Sequence, residues 1–238
     1  MHALQVAVVS GVGPGLGAAV ARRFARGGFA VALMARAEES LAAVAAAIAA
    51  EGGHALPIPG DATHPDAVAR AFGRVRAELG APEVLVYNTG AFHIGGVLDT
   101  TPAVFEQCWR ASCLGAVLAV QQVLPAMVER GRGTVLLTGA TAALRGAANF
   151  AAMAVGKFGL RALGQSLARE FGPRGIHVAH VVVDGIIDTP RTRAFVPDRP
   201  AATLLAPDAI AEAYWQLHVQ QPTCWTQEMD LRPAPEKF

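Results

Sequence analysis

Short apolar runs alternate along this chain with longer stretches of helical spacing. Leu4 to Val9 is nearly all apolar and closes on Ser10-Gly11, which predicts a buried strand. Leu16, Val20 and Phe24 then recur every four residues, the spacing of one helical face, within a helix at 16–28. The alternation continues with a strand at 30–35, an Ala-rich helix at 38–50, a strand at 54–59 and a helix at 65–79. Further strands are expected at 84–87, 134–138 and 176–182, with helices at 102–130 and 150–171. Strands apolar on both faces and separated by helices predict an α/β fold, with a parallel sheet covered on both sides. No linker, repeat or low-complexity tract divides the chain, so one domain over 1–238 is expected.

Composition narrows the function classes. At 53% hydrophobic and 16% charged, the chain is not of the disordered type. Twenty Lys and Arg against nineteen Asp and Glu leave +1, so no basic surface is expected for nucleic acid or an anionic membrane. Cys108, Cys113 and Cys224 are odd in number and form no CxxC, which fits reduced thiols in the cytoplasm. His177 and His180 lie three apart on a strand and face opposite sides, so no metal site is expected there. The N-terminus lacks a basic leader region. The apolar stretch Cys113–Val128 is interrupted by Gln121, Gln122 and Pro125 and reads as a buried helix, not a membrane span.

Ser10-Gly11-Val12-Gly13-Pro14-Gly15-Leu16-Gly17 joins the first strand to the first helix. Glycines allow a sharp turn and close approach to a pyrophosphate, and the helix N-terminus offers free N–H groups. The spacing Ser-Gly-x-x-x-Gly-x-Gly resembles the short-chain dehydrogenase/reductase family, whose pattern begins with Thr. Asp61-Ala62 is similar to the family's adenine-holding Asp-Val, and Tyr87-Asn88-Thr89-Gly90 to its Asn-Asn-Ala-Gly. Asp184-Gly185-Ile186-Ile187-Asp188-Thr189 resembles its Pro-Gly-x-Ile-x-Thr, where the Ile and Thr positions hold the nicotinamide carboxamide. The resemblance implies a single-domain Rossmann fold with a doubly wound, seven-stranded parallel sheet, its last strand at 226–231. It also implies a small-molecule substrate, a homodimer or homotetramer joined through the helices at 102–130 and 150–171, and a substrate-closing segment at 190–206.

The nucleotide is read from the end of the second strand. An acidic residue about 20 positions past the glycines would favour NAD. Here Ala35-Arg36 stands there, and Arg36 suits a 2′-phosphate, so NADP(H) is favoured over NAD(H). The plainer alternative is a solvated Arg36 neutralised by Glu38 or Glu39.

The catalytic positions that the resemblance implies are altered. Lys157 falls on the family's Lys, but its Tyr position is Met153, its Ser position Ala140 and its Asn position Ser112, with Gly115 retained. Phe150-x-x-Met153-x-x-x-Lys157 matches the enoyl-reductase spacing, again without the phenol. Tyr87 ends a strand beside the cofactor. Thr138 and Thr141 flank the lost Ser and are poor proton donors, and His93 is a loop residue that titrates in a useful range. Three readings stay open: an NADP-linked oxidoreductase with an altered acid/base apparatus, a nucleotide-binding pseudoenzyme, or a structural or partner-binding protein without nucleotide, against which the glycine loop, Asp61, Asn88 and Lys157 count.

Overall fold

The apolar runs pair into one sheet because each is buried on both faces and only its neighbours can satisfy its backbone groups. The computed structural model describes residues 4–235. Its elements are β1 Val6–Ser10, α1 Leu16–Arg26, β2 Ala30–Ala35, α2 Glu38–Ala50, β3 His54–Pro59, α3 Pro65–Glu78 and β4 Val84–Tyr87. There follow α4 Pro102–Trp109, α5 Gly115–Arg130, β5 Gly133–Thr138, α6 Ala151–Phe171, β6 Ile176–Val183, α7 Pro190–Phe195, α8 Pro207–His218 and β7 Glu228–Leu231. Strand order is β3-β2-β1-β4-β5-β6-β7 and every pairing is parallel. The chain leaves β1 toward one edge and returns at β4 toward the other. That reversal opens a crevice at the carboxyl ends of β1 and β4, where doubly wound sheets bind ligands.

The two sides of the sheet are sorted by strand alternation. Ala7, Val9, Val31 and Leu33 face α1, α2 and α8, packing with Phe24, Leu41, Ile48, Tyr214 and Leu217. Val8, Ala32, Leu85 and Leu137 face α3, α5 and α6, packing with Phe72, Val123, Met127 and Leu160. Each fully buried side chain of this size contributes about 1.5–3 kcal/mol.

Two expectations are corrected and a third is completed. The helix at 102–130 is interrupted by a π-helical turn, Arg110–Leu114, between α4 and α5. Its cause is visible: the buried Tyr87 hydroxyl donates to the Ala111 carbonyl at 2.7 Å, and a side chain inserted into the ladder forces a wider turn. The segment 190–206, expected only as a substrate-closing stretch with no element assigned, holds α7, fixed by a reciprocal cap between Thr189 and Thr192. The last strand begins at 228 rather than 226. Pro102–Arg130 is long and apolar enough to cross a membrane, yet Ala116, Val120, Val123 and Met127 are buried against the sheet as a core helix.

Candidate active site

The glycine turn is held from both sides of the crevice. Gly11 has φ 92°, and a β-carbon there would lie 2.7 Å from the Asn88 carbonyl carbon, so glycine is required. Asn88 Nδ2 donates to the Gly11 carbonyl at 3.0 Å, and Ser10 Oγ is hydrogen-bonded to Thr89 Oγ1 at 2.9 Å. A β-carbon on Gly15 would touch the Thr189 methyl at 2.5 Å, so the turn also abuts the loop carrying Gly185, Ile187 and Thr189. One on Gly17 would strike the backbone of Gly11 and Val12, while Gly13 opens on free space and Pro14 is exposed. Leu16 begins α1, whose N-terminus has no side-chain cap and no acidic residue in its first turn. Uncapped N–H groups and the helix dipole suit an anion.

Asp61 and Arg36 sit at the tips of β3 and β2. Partial burial pushes the Asp61 carboxyl up, but hydrogen bonds from the Thr63 backbone and hydroxyl, with the charges of His64 and Arg36, outweigh it and hold it below the usual range. Ala62 follows, its carbonyl against Gly115. Arg36 is exposed, and among the described residues it makes no ion pair with Glu38 or Glu39.

The altered positions converge at the carboxyl end of β5. Lys157 is 6% exposed, and its Nζ donates to the Thr138 carbonyl at 2.7 Å. Gly90 leaves room for that amine, since a β-carbon there would lie 3.3 Å from Nζ. Ala140 opens a short 3-10 turn, Thr141–Ala143, that packs on α6, and Met153 is half-buried on the first turn of α6. Neither can carry a proton. Ser112 is fully buried against Gly156, and among the described residues its hydroxyl has no partner. A buried unpaired hydroxyl costs about 1–3 kcal/mol and marks a position that water or ligand completes.

The other candidates are committed elsewhere. His93 Nε2 hydrogen-bonds Thr100 Oγ1 at 3.1 Å on its own loop. Burial pushes the Tyr87 phenol up, and its proton is given to Ala111. Phe150 packs edge-on against Phe92. Arg193, in the segment after β6, is bidentate on Asp188 at 2.6 and 2.8 Å. Sequence reasoning considered His180 only as a metal ligand and missed its contact: fully buried, its Nδ1 meets Glu228 at 3.0 Å, with Arg161 on the same carboxylate at 2.7 Å. It also missed the pairing of Thr141 with Asp184. Both join residues distant in sequence, and only a polar residue in an apolar strand or at its end hints at them.

Burial pulls the Lys157 ammonium from 10.5 to about 8. Its folded value lies below the unfolded one, so the native state binds fewer protons between pH 8 and 10.5, and stability rises with pH across that window. Without cofactor, wild type should gain about 3 kcal/mol relative to Lys157→Met between those limits. Urea unfolding at a series of pH values measures this, and a constant difference would refute it.

Comparison with known proteins agrees with this geometry. A family model described as short chain dehydrogenase matches residues 5–200. A short-chain dehydrogenase/reductase of Armillaria gallica is 34% identical over 189 residues, 78% of this chain and 72% of that protein. The crystal structure of a short-chain dehydrogenase from Rhodopseudomonas palustris is 37% identical, covers 98% of this chain and 100% of its own, and superposes with a TM-score of 0.84. A metagenomic short-chain oxidoreductase in complex with NADP is 31% identical over 98% of both chains, with a TM-score of 0.85. A glycine turn at the sheet's switch point, a buried lysine beside it and matches over nearly the whole chain lead to one conclusion: the chain belongs to the short-chain dehydrogenase/reductase family, NAD(P)-binding oxidoreductases on a Rossmann fold.

Proposed function

We propose that this chain is an NADP-linked oxidoreductase acting on a small carbonyl or alcohol. What carries the reading is Lys157, its amine lodged between the Thr138 carbonyl and Gly90 at the mouth of the crevice. Burying a lysine without an acidic partner is unfavourable, and such cost concentrates at functional sites. The residues present fit a dinucleotide. The uncapped turn at Ser10, Gly11, Gly13, Pro14, Gly15, Leu16 and Gly17 would take the pyrophosphate, and Asp61 and Ala62 the adenine. Asn88, Thr89 and Gly90 would line the ribose with Lys157, and Gly185, Ile187 and Thr189 the carboxamide. When bound, the nicotinamide supplies or accepts a hydride. This chain's part is to orient the ring, exclude water and handle one proton.

Arg36 supports NADP(H), since it is exposed at the tip of β2 and makes no ion pair among the described residues. A charge-assisted contact to a 2′-phosphate is worth about 1.5–3 kcal/mol, so NADPH should bind about 10–100-fold more tightly than NADH. Arg36→Asp should reverse the order. Calorimetric titration of both nucleotides tests it; equal affinities that ignore the substitution would refute the phosphate assignment.

A second reading, a nucleotide-binding pseudoenzyme, is favoured by Ala140 and Met153, which leave the family's proton-donating positions without a hydroxyl. Turnover on a substrate panel separates the two. We also place the protein in the cytoplasm as a homodimer or homotetramer. Exposed Trp109 on α4 and Val155 and Phe158 on α6 supply an apolar surface for that contact.

A further inference from the structure

The titratable groups around the crevice can be eliminated in turn. Lys157 is spent on Thr138, Tyr87 on Ala111, and His93 on Thr100. His180 is sealed beneath Gly139, where a β-carbon would run into its ring. Tyr214 is buried on the far face of the sheet and bound to Thr138 Oγ1 at 2.8 Å. One carboxylate remains at the carboxyl end of β6: Asp184, at the position where the family pattern has proline.

Its placement follows from strand register. Thr138 on β5 stands opposite Val181 on β6, and three residues further along each chain lie Thr141 and Asp184. Thr141 Oγ1 donates a hydrogen bond to Asp184 Oδ1. Asp184 is 7% exposed, while Thr141 is half-buried beside Ala140 on the turn that opens the site. Behind the carboxylate, Arg232 Nη2 lies 3.5 Å from Asp184 and also pairs with Asp230. An ion pair that only tied β6 to β7 would need Arg232 alone. The added hydroxyl comes from the half-buried turn residue next to the lost Ser position, which links the buried base to that end of β5.

We propose that Thr141 is a catalytic residue and Asp184 its proton acceptor, forming a relay that serves oxidation of a neutral secondary alcohol. The inference rests on the oxidoreductase reading above. The alcohol O–H gives its proton to Thr141 Oγ1 as Thr141's own proton passes to Asp184 Oδ1. The carbinol C–H bond breaks, and its hydrogen leaves with both electrons to oxidised NADP, the co-reactant. The products are a ketone, NADPH and protonated Asp184, which returns the proton to solvent. Thr141 hands on a proton while receiving one, so its high intrinsic pKa is no obstacle. A neutral, apolar-bodied alcohol suits a mouth that exposes Phe92, Ile94 and Phe195 and whose Arg193 is already neutralised by Asp188.

The test uses the full chain with NADP⁺ and two probes, cyclohexanol and 2-octanol. Wild type should oxidise at least one. Asp184→Asn and Thr141→Val should each lower kcat/KM at least about a hundredfold, and Thr141→Ser should keep most of the rate. A binding measurement accompanies the rates: calorimetric affinity of trifluoroethanol for the protein with NADP⁺ should fall about tenfold in Asp184→Asn. Thr141→Val leaves the Asp184–Arg232 pair in place, so it decides the matter if Asp184→Asn does not fold. Full activity in Thr141→Val, or a wild type that binds NADPH and oxidises neither alcohol, overturns the relay. Failure to bind NADPH overturns the oxidoreductase reading instead.

Discussion

Ala140→Ser combined with Met153→Tyr should raise NADPH-dependent reduction of a simple ketone by about 10²–10⁴-fold over wild type. The reasoning starts from what the site retains. Lys157 is buried with its amine held toward the crevice, and residue 153 lies one turn earlier on the same face of α6. A phenol there would stand beside the ammonium, which lowers its pKa and makes it a better acid. Ala140 opens the 3-10 turn that packs on α6, so a hydroxyl there would meet the same substrate oxygen. A positioned general acid contributes roughly 3–5 kcal/mol of barrier, and neither Ala140 nor Met153 carries a proton to give. The Thr141–Asp184 relay runs in reverse only through a protonated Asp184, whereas a phenol at residue 153 carries its own proton.

The two substitutions act on one oxygen, so the double variant should exceed the combined effect of the singles. Adding Lys157→Ala should abolish the gain, and alone it should weaken NADPH binding. Steady-state rates with cyclohexanone and an NADPH titration of each variant provide the measurement. A wild type already fast on the ketone and indifferent to Lys157→Ala would place the chemistry elsewhere in the crevice.

The strands, their parallel pairing and the glycine turn were legible because each is a local pattern: apolar runs of strand length, helical spacing between them, and glycines where the backbone must turn. The interrupted helix was not, since the π turn at Arg110–Leu114 arises from Tyr87, more than twenty residues earlier. Gly115 read as a family match, yet its physical reason is the Ala62 carbonyl, 2.6 Å from where a β-carbon would sit. Lys157 was found through the family resemblance, but its burial and its bond to Thr138 belong to packing. His93 drew notice for its chemistry and turned out bound within its own loop. Asp184 was read as a substituted proline. Its pairing with Thr141 and Arg232 needs the register of β5, β6 and β7, which no local pattern carries.

Backbone packing at the opposite end of the sheet carries the largest expected stability effect. Gly175 has φ 82° and precedes β6, while Gly131 has φ 65° and ends α5 just before β5. A β-carbon on Gly175 would fall on the Gly131 carbonyl oxygen, far inside van der Waals contact. Both partners are backbone, so no side chain can turn away, and β5 and β6 begin pairing immediately beyond, at Gly133 and Ile176. Gly28 is the internal control, with φ 91° and nothing within 4 Å of the same added atom. Gly28→Ala should therefore show conformational strain alone, about 1–2 kcal/mol, or a Tm lower by roughly 2–8 °C. Gly175→Ala carries similar strain plus the separation of two paired strands, and should lose at least twice as much or fail to accumulate as folded protein. Thermal unfolding of both variants, followed by circular dichroism, decides it. Equal shifts would mean that the two turns can part without cost and that the strand register does not depend on their contact.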